Sequence, residues 1–517
     1  MPDYIFMLES RLSPEQLRAL SRVQEEAQAA GLNLYLVGGA VRDLMTGSPI
    51  RDLDFTLEGN PLRLARRLAG TEVRCLEVDE RRHSAELQLA DGVFLSLQMA
   101  RNEFFRQPGR PPEVKAASIL EDLRRRDFSV NAMGISLTPG SRGLLLDPTN
   151  GLADIENREL RILHNYSFLH DPMRLLRLVR FWSRLGFRPD DRTRGLFEVA
   201  LERGYQENVE PGAVGREVEQ ITREENAVAV LKALAGHELL AVLHPMLQKR
   251  KPDYEGLAKL QKYLQQAAQA GYRVDPFYLV LHYLRRRLKG RAQAQLLRHL
   301  ALKKAQTKPA LGLEREVRGV LKLLSRNRKA GPRQIYHLLT PVPLEFLIFV
   351  LAEYSSKKRI QAKIYNYLFK YRPLRGKLPV RELQLMGVPP GPKFDQILEK
   401  YFEAQLDGKL RGRAQQLRFL RKLAGVPKPK PAPKPKKAKK EAKPAAVAEG
   451  RAKPAAPGGV KPAGPPPPAP LLKAVEKPAA EKKPAPVLAK PGRRATRVKR
   501  QPKRAAKAKP KKKRRSK

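Results

Sequence analysis

From Val426 to Lys517 the chain holds 31 Lys and Arg, 4 Asp and Glu, 20 Pro and no aromatic residue, in runs such as KPKPAPKPKKAKK and KAKPKKKRRSK. Such a segment has too little apolar surface to offset the entropy of ordering it, so it is expected to be disordered, partly polyproline-like and solvated. Any hydrophobic core is thereby confined to residues 1–425, a length that one ordinary core does not fill. The tail carries +27 of the formal charge of +50 and leaves +23 for the rest. Two basic regions point to a polyanionic partner, and nucleic acid is favoured over anionic membrane because no amphipathic anchor stands out. Nothing in the tail reads a base sequence; non-specific RNA or DNA affinity is all it implies.

The single cysteine, Cys75, excludes an internal disulfide framework and a cysteine-rich zinc site. In VRCLEV it stands among apolar residues and is expected to be buried. MPDYIFMLESRL has neither a basic leader nor an apolar stretch of signal-peptide length, and no apolar run approaches a membrane span, so a cytoplasmic location is expected.

Within the first 425 residues the hydrophobic period changes. Ser13-Pro14-Glu15-Gln16 supplies a helix N-cap, and Leu17, Leu20 and Val23 follow at helical spacing up to about Gly31. LNLYLV then reads as a strand broken at Gly38-Gly39, AVRDLMTG as a short helix and LDFTL as a second strand. PLRLARRLAG reads as helix, EVRCLEV, SAELQLA and VFLSLQM as strands, and RQPGRPPEV as a Pro/Gly-rich loop. From about Asp127 the pattern turns helical, beginning with FSVNAMGI and continuing to about Leu423. The fold class is therefore α+β: an N-terminal helix (1–30), a small mixed-sheet head (31–160), all-α neck (161–250) and body (251–425) regions, and the basic tail (426–517).

Four stretches carry candidate chemistry. Asp52 and Asp54 are two apart in a strand-like run, which puts both carboxylates on one face and Leu53 and Phe55 on the other. Paired carboxylates offer hard oxygen ligands for Mg²⁺, although most D-x-D pairs are only a solvated strand face. Gly38 and Gly39 let backbone N–H groups approach an anion at the start of a helix, and Arg42, one turn on, can fork a phosphate oxygen. Alternatively, the glycines make a tight turn and Arg42 a surface ion pair with Asp43. RRRDFSVNAM, Arg124 to Met133, offers three arginines to a triphosphate, or is a basic helix start. In HDPMRLLRLVRFW, Asp171, Arg174, Arg177 and Arg180 recur every three residues along one helix face. A carboxylate beside a guanidinium matches the amine-donor, ring-acceptor edge shared by cytosine and adenine, and leaves buried groups unpaired against uracil or guanine; the bland alternative is an i,i+3 salt bridge.

Taken in order, GGAVRDLMTG with DLDF, RRDFSVNAM, LLLDPTNGLADIENRELRIL and HDPMRLLRLVRFWSRLGF resemble the motifs of the class II tRNA nucleotidyltransferase and bacterial poly(A) polymerase family, polymerase-beta-like enzymes. The resemblance is strong over about Leu34 to Arg188 and fades beyond Pro245. It implies that Gly38, Gly39 and Arg42 bind the nucleotide, that Asp52 and Asp54 hold Mg²⁺ and are catalytic, that Arg126 contacts the nucleotide, and that Asp171, Arg174, Arg177 and Arg180 read its base. It implies template-independent addition of CCA, or its terminal A, to tRNA from CTP and ATP. Polyadenylation of RNA is the alternative within the class, and a catalytically weak RNA-binding protein the alternative outside it. Two positions depart from the pattern: His170 stands where relatives usually carry Glu, and Ser96 where many carry a third acid. His237, His244, His282, His299 and His337 lack a following Asp, so no phosphohydrolase metal site is expected.

Overall fold

The structure, a computed structural model, describes residues 3–426 apart from positions 71, 91 and 303. The tail expected to be disordered, from Pro427 onward, lies outside the described residues. The chain opens with helices α1 (Tyr4–Arg11) and α2 (Pro14–Ala29). The expected capping box is formed: Gln16 N–H donates to Ser13 Oγ, and Ser13 N–H donates to Gln16 Oε1. Leu20, Val23 and Ala27 make the buried face of α2.

The strand, turn, helix, strand succession follows as β1 (Asn33–Val37), α3 (Gly39–Thr46) and β2 (Leu53–Glu58). After it come α4 (Pro61–Leu68), β3 (Val73–Asp79), β4 (Ser84–Leu89) and β5 (Phe94–Met99). A separate hairpin, β6 (Arg101–Phe104) with β7 (Glu113–Ala116), leads to α5 (Ile119–Arg124), β8 (Gly134–Ser136) and β9 (Leu145–Leu146). The seven-stranded sheet has the order β3-β4-β5-β2-β1-β8-β9, with β2 and β5 parallel and its other neighbours antiparallel. Central β1 and β2 bury Leu36, Val37, Leu53, Phe55 and Leu57 completely. Their pairing places the site: with Leu36 opposite Phe55, the end of β1 lies beside the start of β2, so the Gly38 turn faces Asp54.

Three local readings are overturned. FSVNAMGI is not a helix but a 3-10 turn (Ser129–Asn131) running into β8, because pairing of Ile135 with Leu36 of β1 outweighs the local helical pattern. The arginines of RRRD do not start a helix; Arg124 ends α5 and Arg125 caps it, where positive charge suits the helix dipole. Cys75 is exposed, because β3 is the sheet edge and buries only Val73 among its residues. RQPGRPPEV forms the hairpin tip and the first residues of β7.

The rest is helical apart from a two-residue parallel pairing of Glu159–Leu160 with Arg188–Pro189. It begins with α6 (Gly151–Asn157), α7 (Ser167–His170), α8 (Met173–Leu185), α9 (Asp191–Glu202), α10 (Pro211–Thr222) and α11 (Ala227–Gly236), and its last helix is Arg413–Ala424. One apolar core runs from Ile5 through both head and helices to Leu368, and Leu383, Phe394, Ile397, Tyr401 and Leu420 form a second. Among the described residues no single helix is long and apolar enough to cross a membrane. The adjacent apolar helices Pro332–Leu339 and Leu344–Glu353 bend by 115°, and the second buries Leu347 to Ala352.

Candidate active site

A cleft of about 1420 Å³ lies between the open ends of β1 and β2 and helices α8 and α10. On the head side, Gly38 adopts φ +67°, a left-handed conformation that favours glycine, and a Cβ there would crowd Arg126 Nη1 at 3.0 Å. No side chain caps α3, whose first-turn N–H groups begin at the turn that faces Asp54. Asp54 Oδ1 accepts from Ser96 Oγ at 2.6 Å across the parallel β2/β5 pair, and Oδ2 faces Gly38 and Gly39. Asp52 immediately precedes β2 and lines the same cleft. Burial, with repulsion from Asp54 behind it, raises the Asp52 carboxyl above its ordinary value; burial raises Asp54 likewise, against the opposing Ser96 hydrogen bond. Neither carboxylate has an ion pair among the described residues. Arg126 is aimed at the turn by Asp122, which accepts from its Nε and Nη2 at 3.2 and 2.9 Å, and by Thr56 Oγ1.

On the helical side Asp171 lies just before α8, which starts at Met173, rather than on the helix itself. Arg174 Nε stands 3.5 Å from Asp171 Oδ2, while its other nitrogens donate to Ser167 Oγ and to the carbonyls of Arg125 and Arg126. The guanidinium therefore sits in a fixed orientation next to the carboxylate. Arg177 Nη1 donates to Asp127 Oδ2 at 2.9 Å.

The two sides are joined by a ring of charges. Arg42 donates Nε and Nη2 to Asp43 Oδ1 at 3.0 and 2.8 Å and Nη1 to Asn131 Oδ1 at 2.5 Å. Asp43 Oδ2 accepts from Arg184 Nη2 at 2.8 Å, and Arg184 Nε lies 3.6 Å from Glu224. Glu224 and Glu217 accept from Arg180 at 3.0 and 2.6 Å, and Glu217 lies 3.7 Å from Arg177. Asp127 accepts from Arg177 and from Asn131, which closes the circuit. Four guanidinium groups and four carboxylates cancel, as mostly buried charges must.

Residues 34–161 match the family of the poly A polymerase head domain. The A-adding tRNA nucleotidyltransferase of Geobacter sulfurreducens is 26% identical over 79% of this chain and 47% of its own length. That of Halalkalibacterium halodurans is 29% identical over 81% of this chain and 95% of its own. Residues 34–161 thus carry a poly A polymerase head domain, and over most of its length the chain is similar to A-adding tRNA nucleotidyltransferases. It spans less than half the length of the Geobacter relative and nearly all of the Halalkalibacterium one. Among solved structures, the Thermotoga maritima CCA-adding enzyme complexed with tRNA is 26% identical over 81% of this chain and 98% of its own, with a TM-score of 0.42.

In this chain Gly38, Gly39, Arg42, Asp52, Asp54, Arg126, Asp171, Arg174, Arg177 and Arg180 all line one cleft. They are not equivalent there. Arg42 is buried and each of its three guanidinium nitrogens donates to Asp43 or Asn131, so its alternative reading, a surface ion pair with Asp43, takes the form of an interior one. Arg180 is likewise enclosed by Glu217 and Glu224, with its guanidinium 4.5 Å from the Phe181 ring centre. Asp122, Asp127, Asn131, Glu217 and Glu224 were not singled out from sequence. The Asp127-x-x-x-Asn131 spacing could have drawn attention to the first pair, but nothing local marks Glu217 or Glu224, whose partners are 37 and 44 residues away.

Proposed function

We propose that this protein adds nucleotides to the 3′ end of tRNA without a nucleic-acid template, building CCA or its terminal A from CTP and ATP and releasing pyrophosphate. The observation that carries the reading is the presence in one cleft of two unneutralised carboxylates beside a glycine turn and, opposite them, a carboxylate and guanidinium held side by side. The family names of the relatives accord with it, and the cytoplasm, where tRNA is processed, is the expected location.

Asp52 and Asp54 fit a hard divalent ion: both supply carboxylate oxygens, and no cationic side chain pairs with either among the described residues. Mg²⁺ bound there would favour ionisation of the RNA 3′-hydroxyl and screen the leaving pyrophosphate. The chain's own groups do the rest. The Gly38-Gly39 turn and Arg126 bind phosphate oxygens, and Arg42 shapes the turn from beneath. Ser96 uses its hydroxyl proton to orient Asp54 Oδ2 toward the turn, so it does not act as the missing third acid. Asp171 accepts from the exocyclic amine of C or A while Arg174 donates to the neighbouring ring nitrogen. The RNA 3′-oxygen then forms a bond to the α-phosphorus as the bond to the bridging oxygen breaks.

The test is incubation of the purified protein with tRNAs ending before CCA, after C and after CC, and with an unrelated oligonucleotide, offering each NTP with Mg²⁺. Incorporation of C and A, or of A alone, on tRNA is expected. No incorporation on any RNA overturns the reading, and ATP-only tailing of every RNA replaces it with polyadenylation.

A further inference from the structure

The hairpin tip between β6 and β7 is packed onto the start of the base-reading segment. Gly109 N–H donates to the His170 carbonyl at 3.2 Å, and Gly109, at φ +69°, lies so close to the Asn208 carbonyl that a Cβ would meet it at 1.7 Å. This docking lays the Phe105 ring against that of His170, with centroids 5.2 Å apart and planes 10° from parallel. A third ring continues the series: Tyr166 lies 6.0 Å from His170 with its plane tilted by 34°. The spacing has a local cause, since His170 N–H donates to the Tyr166 carbonyl at 2.8 Å in a helical turn, which sets side chains four apart on one side. Phe105 and His170 line the cleft, whereas Tyr166 is outside its lining and 66% exposed.

An exposed tyrosine is unremarkable alone, but this one extends a ladder of rings that leads into the cleft. Its surroundings are not an apolar patch of the kind a protein partner buries. His164 and Asn165 precede it in sequence, Arg192 donates to Asn165, and His164 Nε2 bonds the Arg124 carbonyl. Arg110, on the same hairpin as Phe105, lines the cleft with no carboxylate partner among the described residues. Aromatic faces interleaved with cations suit unpaired nucleotides, whose bases stack on any ring while their phosphates meet the guanidinium groups. The incoming nucleotide is already accounted for by Asp171 and Arg174, and Tyr166 stands outside the cleft.

We propose that Phe105, His170 and Tyr166 form a stacking platform for the unpaired 3′-terminal bases of the RNA acceptor, with Tyr166 as its outer step. The proposal rests on the 3′-end reading above.

The test pairs a kinetic and a binding measurement on the full chain. With tRNA lacking the terminal A as substrate, Tyr166→Ala raises the KM for RNA about 10-fold, the loss of one stacked base, and leaves the KM for ATP unchanged. Tyr166→Trp restores the RNA KM and Tyr166→Leu does not. Restoration by leucine, or an equal rise in the KM for ATP, overturns the platform. In parallel, a hairpin RNA with 2-aminopurine in its unpaired 3′ overhang is titrated without nucleotide: stacking quenches its fluorescence in the wild type and not in Tyr166→Ala. Equal quenching in both also overturns the platform, whereas the expected quenching without any incorporation upholds it and sinks the 3′-end transfer reading instead.

Discussion

On the head side of the cleft Asp52 and Asp54 stand partly buried near each other with no guanidinium bonded to either, whereas on α8 each arginine from Arg174 to Arg184 is answered by a carboxylate. The contrast separates two ways of building a site. Carboxylates without a bonded cation in a half-dry cleft are held at a cost that the guanidinium groups around them offset only through space, since both carboxyls remain raised. Compensated charge needs no ligand to hold its geometry, so the helical side is a fixed frame, on which the proposed base-reading pair is already oriented. Arg42 belongs to the second kind although it lies on the first side, because the charge ring reaches it through Asp43 and Asn131.

The contrast can be broken first at its unneutralised end. Asp54→Ala should lower single-turnover incorporation by about 1000-fold or more while RNA binding by anisotropy is retained; Mg²⁺ should raise the melting temperature of the wild type and not of this variant. Activity within tenfold of wild type would remove Asp54 from the chemistry. At the compensated end, Glu217→Ala leaves Arg180 buried with one carboxylate fewer. It should cost about 3 to 5 kcal/mol of stability in denaturant titrations, with much of that recovered when Arg180→Met is added. Additive losses in the double variant would show that the pair is not coupled.

The base reading proposed for Asp171 is tested by Asp171→Asn, which turns an acceptor into a mixed donor and acceptor. Competition between nucleotides should show selectivity for ATP over GTP reduced about 10- to 100-fold, with stability little changed, since Asp171 is partly exposed. Unaltered selectivity would place base reading elsewhere.

The smallest effect concerns acid. Burial pushes the Asp127 carboxyl up, but Arg177, Arg174 and the Asn131 hydrogen bond overcome it and hold the group down at about 2, below the ordinary 3.8. A depressed folded-state value means that the stabilisation is fully present above pH ~4 and is lost as pH falls toward 2, at most about 2 kcal/mol. Asp127→Asn should therefore flatten the stability profile between about pH 4 and 2 relative to wild type. Parallel profiles would show that other carboxylates dominate there.

Much of the head was legible because its signals are local. Gly38-Gly39 between two strands, the Ser13 cap and the Asp52-x-Asp54 alternation depend on residues within a few positions, and each appears where its pattern puts it. FSVNAMGI and Cys75 failed for a common reason: each was judged by its neighbours in the chain. The first is set by its pairing with β1 and the second by the position of β3 at the sheet edge. Asp171 was read as a helix residue because the three-residue period runs through it, yet the helix begins two residues later.

By itself the sequence determined the α+β class, the order of the motifs and the residue types gathered in the cleft, since hydrophobic period, turn chemistry and charge are properties of short stretches. Only the tertiary structure decided which of the arginines are enclosed by carboxylates, that Ser96 orients Asp54, and that three rings line up toward the surface. Those outcomes depend on groups brought together across tens of residues, where burial forces each charge to find a partner and packing alone decides which one.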